Sequence, residues 1–201
     1  MAIRAVVFDI GGVLEIVPDM DFDRRWEARL GLPDGEIGRR LADMWLGGSV
    51  GTVTEQAVHR AVQDRLGLPA ERAGALLADM WEQYLGVANG ELIEYAGRLR
   101  PRYRTGILSN SFVGAREREQ DRYGFADLVD DVVYSHEIGM SKPDPRVYRL
   151  ACARLGVRPH ETVFVDDAEP NVVAARATGC HTVHFRDNAQ AIAAIEAALS
   201  G

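Results

Sequence analysis

Four short runs of β-branched and aromatic residues constrain this chain more than any other feature. They are IRAVVFDI (Ile3 to Ile10), RTGILSN (Arg104 to Asn110), ETVFVDD (Glu161 to Asp167) and CHTVHF (Cys180 to Phe185). Each is bounded by turn residues or charges and reads as a buried strand. A shorter candidate, DVVYS (Asp131 to Ser135), lies between the second and third. Helical patterns separate them. Pro143 to Leu155 and Pro170 to Thr178 carry proline near the start, where a missing N–H costs nothing, and Gly156 and Gly179 suit their ends. The tail from Ala189 to Leu199 is Ala-rich, with isoleucine and leucine at helical spacing. From Pro101 onward strand and helix alternate, which predicts a parallel α/β sheet with helices on both faces.

The stretch from about Asp19 to Ala88 has a different period. Ala57, Val58, Ala61, Val62 and Leu66 fall on one face of a helix, and GLPDGE, LGGSVGT and GLPAE supply breaks. No strand is predicted there, so the stretch reads as a helical insert between the first strand and the rest of the sheet. A chain of 201 residues is long enough for one substantial core and a small insert. The net charge of -7, with both signs mixed along the chain, argues against nucleic acid or an anionic membrane as the main partner. The run REREQDR (Arg116 to Arg122) alternates sign and reads as a solvated helix face. Cys152 and Cys180 fall in no metal-ligand spacing, Cys152 reads as a small buried residue, and no run reaches transmembrane length. A reducing cytoplasm is the expected setting.

Ligands of open α/β sheets bind beyond the C-terminal ends of the strands. The predicted strands end here in Asp9, in Ser109 and Asn110, and in Asp166 and Asp167, while the segment after DVVYS delivers Lys142. Each has an ordinary reading as well. Asp9 can close a turn, Ser109 and Asn110 can cap a helix, the aspartate pair can cap the helix at Pro170, and Lys142 can be a surface lysine. Together they match phosphoryl transfer through an aspartyl intermediate, in which a carboxylate attacks phosphorus and water hydrolyses the acyl phosphate. Nucleophile and phosphate are both anionic, so positive charge is required. Magnesium held by Asp9 and Asp167 would supply it, with Lys142 as a fixed cation and Ser109 and Asn110 as donors to phosphoryl oxygens. The glycines after Asp9 let backbone amides approach those oxygens.

The sequences FDIGGVL, ILSNS, GMSKPDPRVY and VFVDDAEPNVVAARATG occur in this order, and with them the chain resembles the haloacid dehalogenase superfamily of hydrolases over essentially its whole length. The resemblance implies a Rossmann-like core of residues 1–15 and 89–201 with an all-helical cap of residues 16–88. It implies Asp9 as nucleophile and magnesium ligand, the carbonyl of Gly11 and the carboxylate of Asp167 as further ligands, and Asp166 in or beside the metal shell. Ser109 and Asn110 would hold the phosphoryl group of a small phosphorylated metabolite, Lys142 would stabilise the transferring charge, and Asn171 would orient the acidic loop. The cap would select substrates, with Gly47 to Thr52 as the segment dipping toward the site.

One position departs from the pattern. Phosphatases of the superfamily usually carry a second aspartate two residues after the nucleophile, as acid and then base. This chain has Gly11. Three outcomes are open: a nearby carboxylate substitutes (Glu15 first, Asp19 or Asp21 after it), the leaving group needs little protonation, or the chain has become a binding or regulatory protein. Related DxGN and DxGG forms are described as phosphatases, sugar-phosphate phosphatases among them, which favours the first two. A dehalogenase would use the same aspartate on carbon without metal, and the Asp166–Asp167 pair argues against it.

Overall fold

The computed structural model describes residues 2–201. Seven strands are present among them: β1 (Ala5–Phe8), β2 (Glu15–Ile16), β3 (Val87–Ala88), β4 (Arg104–Ser109), β5 (Asp131–Tyr134), β6 (Thr162–Asp166) and β7 (His181–His184). Five form a sheet in the order β5-β4-β1-β6-β7, and every pairing in it is parallel. All five expected strands are found, each trimmed by a residue or more at its ends. The parallel sheet flanked by helices is the α/β, Rossmann-like class that the strand–helix alternation predicts.

β1 is buried on both faces, as a central parallel strand must be. Val6 and Phe8 join an apolar cluster with Leu92, Tyr95 and Ile195 on one face of the sheet. Ala5 and Val7 join Val147, Tyr148 and Phe164 on the other. This two-residue alternation explains why the run is uniformly apolar: each face needs its own cover. The chain leaves β1 for β4 and β5 on one side, then crosses to β6 and β7 on the other. β1 and β6 therefore flank the point where the order reverses, and a crevice opens beyond their C-terminal ends.

Between β2 and β3 lie four helices: α1 (Phe22–Leu30), α2 (Glu36–Ser49), α3 (Glu55–Leu66) and α4 (Ala70–Tyr84). Thr54 caps α3 by accepting a hydrogen bond from the Ala57 N–H. The four helices share an apolar cluster that includes Trp26, Leu41, Val62, Leu76 and Trp81. The strands at the two ends of this unit were not expected. β2 and β3 pair antiparallel, Glu15 with Ala88 and Ile16 with Val87, and tie the entry of the helical unit to its exit. At two residues each, they are too short to show an alternating pattern in the sequence.

Gly47 to Thr52 sits against the sheet-bearing part of the chain. The Val113 N–H donates to the Gly48 carbonyl at 3.1 Å and Ser135 Oγ to the Ser49 carbonyl at 2.7 Å. Phe112, just past β4, enters the apolar cluster of the four helices. Its ring lies so close to Gly48 that a Cβ there would stand 2.1 Å from Cε2. Glycine is needed at 48 for this approach alone. Gly48→Ala is expected to lower stability by about 1–3 kcal/mol through overpacking, measured by urea unfolding. Unchanged stability would mean that Phe112 does not pack against this turn.

Candidate active site

The register of β1 assembles the site. Phe8 pairs with Val165 on one side and Ile107 on the other, so the next residue, Asp9, emerges beside Asp166 and just short of Ser109. The Asp9 N–H donates to the Val165 carbonyl at 2.9 Å, extending the ladder by one bond. Lys142 arrives from the loop after the short helix Ser135–Ile138. Its Nζ lies 2.6 Å from Asp9 Oδ1 and 2.7 Å from Asp166 Oδ2. All three residues are buried. The reading of Lys142 as a surface lysine is thereby excluded.

The supporting bonds are specific. Asn110 accepts from the Lys142 N–H at 2.7 Å and donates through Nδ2 to the Lys142 carbonyl at 2.9 Å. Its side-chain amide therefore clamps the lysine backbone, a role that the sequence reading did not assign. Asp166 accepts from the Ala168 N–H, from Asn171 Nδ2 at both oxygens, and from Lys142. Asn171 does hold the acidic loop, as the resemblance implies. Asp167 differs from its neighbour: it is exposed, and its backbone carbonyl faces His184 Nε2 at 2.8 Å. Gly12, at φ +77°, makes room for it, since a Cβ there would meet Asp167 Oδ2 at 2.3 Å.

Oxygens of Asp9, Asp166 and Asp167 lie within 4.8 Å of one another. Lys142 is the cation bonded to two of them, so the cluster keeps an excess of negative charge. Burial pushes the Asp9 carboxyl up to about 7, against the pull of Lys142. A divalent cation beside it would bring that carboxyl down again. Three carboxylates around an electrostatic deficit are a donor set of the kind that suits a hard cation such as magnesium.

A cavity of about 310 Å³ opens here, lined by Gly11, Glu15, Tyr84, Ser109, Glu119 and Asp167 among others. The helix Ala115–Tyr123 carries Glu119 within the run expected to be solvated. That expectation fails at Glu119, which is fully buried and accepts from the Tyr134 hydroxyl at 2.5 Å. Its opposite oxygen and Glu15 Oε1 are both buried without a hydrogen-bond partner. Burial pushes Glu15 up to about 9 and Glu119 to about 7, each helped by other carboxylates nearby. A buried acid inside an alternating-charge run leaves no mark in the sequence; only the helix's docking shows which turn faces inward. Gly11 offers the cavity a backbone but no side chain.

A family model described as haloacid dehalogenase-like hydrolase matches residues 3–179. The chain belongs to that family. A solved family enzyme from Bacteroides thetaiotaomicron, in complex with magnesium and inorganic phosphate, superposes with a TM-score of 0.77 at 21% identity, covering 92% of this chain and 95% of that one. At that identity it shows the fold. A glyceraldehyde 3-phosphate phosphatase of Methanopyrus kandleri is 32% identical over 85 residues, 42% of this chain and 36% of its own length. An (S)-2-haloacid dehalogenase of a Pseudomonas species is 37% identical over 83 residues, 41% of this chain and 37% of its own length. The chain thus spans well under half the length of these curated relatives.

The raised Glu15 carboxyl has a consequence for stability. Folded, it keeps its proton to about pH 9; unfolded, it ionises near 4.5. Its contribution is complete below the unfolded value and is lost as pH rises toward the folded one, by at most about 1.4 kcal/mol per pH unit. Glu15→Gln is expected to flatten the fall in stability between pH 5 and 9, read by denaturant unfolding in the presence of a chelator. An unchanged slope would show that Glu15 is ionised in the native state.

Proposed function

We propose that this chain is a magnesium-dependent phosphomonoester hydrolase that works through an aspartyl-phosphate at Asp9. The observation that carries the reading is the buried Asp9–Lys142–Asp166 arrangement beside the free carboxylate of Asp167. Asp9 attacks phosphorus, the ester bond breaks, and the leaving group departs with the electron pair. Water then attacks the acyl phosphate, releasing inorganic phosphate and restoring Asp9. Lys142 holds Asp9 in place and offsets charge on the transferring group. Ser109, whose hydroxyl here donates to the Asn110 carbonyl at 3.3 Å, and the amide hydrogen of Asn110 not used on Lys142 would donate to the phosphoryl oxygens.

Asp9, Asp167 and the Gly11 carbonyl would hold magnesium, which when bound offsets the negative charge of nucleophile and phosphate. Asp166 is the weaker choice of ligand because its oxygens are engaged by Lys142, Asn171 and Ala168. Its task in this reading is to orient Lys142. Residues 16–88 act as a cap over the core of residues 1–15 and 89–201, with Gly47 to Thr52 as the segment seated beside the site. The substrate is a small phosphorylated metabolite met in the cytoplasm, and the resemblance places sugar phosphates among the candidates. Dehalogenation finds less support: three carboxylates this close, with no metal required by that chemistry, would repel one another without return.

With p-nitrophenyl phosphate, turnover is expected to need magnesium, to vanish with chelator, and to drop to background in Asp9→Asn. Turnover that survives Asp9→Asn would remove the nucleophile assignment. No turnover by the unaltered protein with any divalent metal would favour a binding or regulatory role.

Gly11 supplies a second test. A Cβ at this position would meet only Val17 Cγ2, at 3.8 Å, so a side chain can be added. General acid catalysis is worth about 10²–10⁴-fold. Gly11→Asp is therefore expected to raise kcat/KM for alkyl phosphates by about 10²-fold, and for aryl phosphates by much less. Equal gains on both would show that leaving-group protonation is not what Gly11 limits.

A further inference from the structure

Beside the cavity over Asp9 lies a second one of about 390 Å³, between the helical unit and the loop after β4. The two cavities share Met20, Tyr84 and Asn110 as walls, so they adjoin. The second has a different chemistry. Phe22 and Trp45 come from α1 and α2, Tyr84 from the end of α4 and Phe112 from the loop, with Met20 exposed at the side. Trp45 meets Phe22 edge-on with centroids 6.3 Å apart, and tilts against Phe112 at 5.8 Å. The lining is mainly aromatic rings and thioethers, with Asp23, Ser49 and Ser111 as its polar positions, and it is apt for a flat apolar group.

Gly11 points to the same kind of substrate by an independent route. A phenolic oxygen leaves as an anion of pKa about 10, whereas an alkoxide resembles hydroxide from water, at about 15.7. Only the second needs a proton delivered as the ester bond breaks; Gly11 has no side chain to deliver it, which leaves the almost fully buried Glu15 carboxyl on the cavity wall as the remaining donor. An apolar wall says what shape the leaving group has. The glycine at the usual acid position favours an oxygen that leaves without a proton.

We infer that the substrate is a phosphate monoester of an aromatic hydroxyl, with the phosphoryl group over Asp9 and the aromatic ring in the cavity bounded by Phe22, Trp45, Tyr84 and Phe112. This rests on the phosphatase reading for the chemistry and on the cavity for the substrate class. Asp9 forms a bond to phosphorus, the aryl oxygen–phosphorus bond breaks, and the phenolate takes its proton from solvent. Water then cleaves the acyl phosphate and gives its other proton to solvent, so that one water converts the ester into a phenol and inorganic phosphate.

Gly38 gives a clean way to block the cavity. It lies on α2 and lines the cavity, and a Cβ there would meet nothing within 4 Å. Leucine also favours a helix more than glycine does. With magnesium, the unaltered protein is expected to hydrolyse 2-naphthyl phosphate at least about tenfold faster in kcat/KM than glycerol 1-phosphate, the scale on which one well-filled apolar pocket discriminates. Gly38→Leu is expected to cut the ratio of naphthyl phosphate to acetyl phosphate kcat/KM at least tenfold. Calorimetric titration with 2-naphthol should show binding to the unaltered protein and loss of it in Gly38→Leu. Preference for glycerol phosphate, or an unchanged ratio in the variant, would overturn the inference while leaving the phosphatase reading standing. Naphthol binding lost in Gly38→Leu, with no ester turned over, would overturn the phosphatase reading and keep the aromatic site. Absence of naphthol binding together with absence of turnover would overturn both.

Discussion

Everything at the sheet edge is organised around one buried ammonium. Lys142 Nζ sits between Asp9 and Asp166 at 2.6 and 2.7 Å, and none of the three is appreciably exposed. A buried charge survives only where its partners and their remaining lone pairs are satisfied. Asp166 meets that requirement with Asn171 and the Ala168 amide, and Asn110 fixes the backbone from which Lys142 projects. Four separate segments of chain therefore converge on one cation. Losing Asp9 or Asp166 would leave the ammonium buried with less compensation, and losing Asn110 would free the backbone that aims it, which makes the constellation as much a part of the fold as of the chemistry.

The same lysine divides labour between two adjacent aspartates. Asp166 looks inward with its acceptors engaged, while Asp167 is exposed at the crevice against Gly12. With two carboxylates on the lysine and a third alongside, the balance stays negative until a cation or a proton arrives. Burial already pushes Asp9 toward holding a proton. A divalent cation would compete for that carboxylate and leave it ionised, the form that the proposed attack on phosphorus requires.

Much of this was legible in the sequence, for a physical reason. Strands buried on both faces must be short apolar runs, so β1, β4 and β6 announced themselves and their polar ends marked Asp9, Ser109 and Asp166; β7, also read as buried, is an edge strand in which only Val183 is buried. What stayed hidden depends on pairing or docking between distant segments. β2 and β3 are two residues each and exist only as a pair. Glu119 sits in a run whose alternating charges describe a solvated helix, and it is buried only because that helix packs beneath Tyr134. Asn110 reads as a phosphate donor, and nothing local shows that its amide is also aligned with Lys142 thirty-two residues on. The aromatic cavity is hidden more deeply, since its walls come from three helices and a loop, each of whose side chains reads as ordinary core.

Gly11 and Gly12 look alike in the sequence and differ in what requires them. At Gly12 the backbone has positive φ and a Cβ would run into the Asp167 carboxylate, so glycine is imposed by the fold. At Gly11 neither constraint applies, and there is room for a side chain. The absence of an acid there is thus no by-product of the turn. A Cβ is permitted there, so the turn alone does not impose glycine. A phenolate that departs without a proton gains nothing from a donor at that position, and an added carboxylate would bring one more negative charge to a crevice that already has a surplus. On a leaving group of that kind, Gly11 is the residue that electrostatics favours.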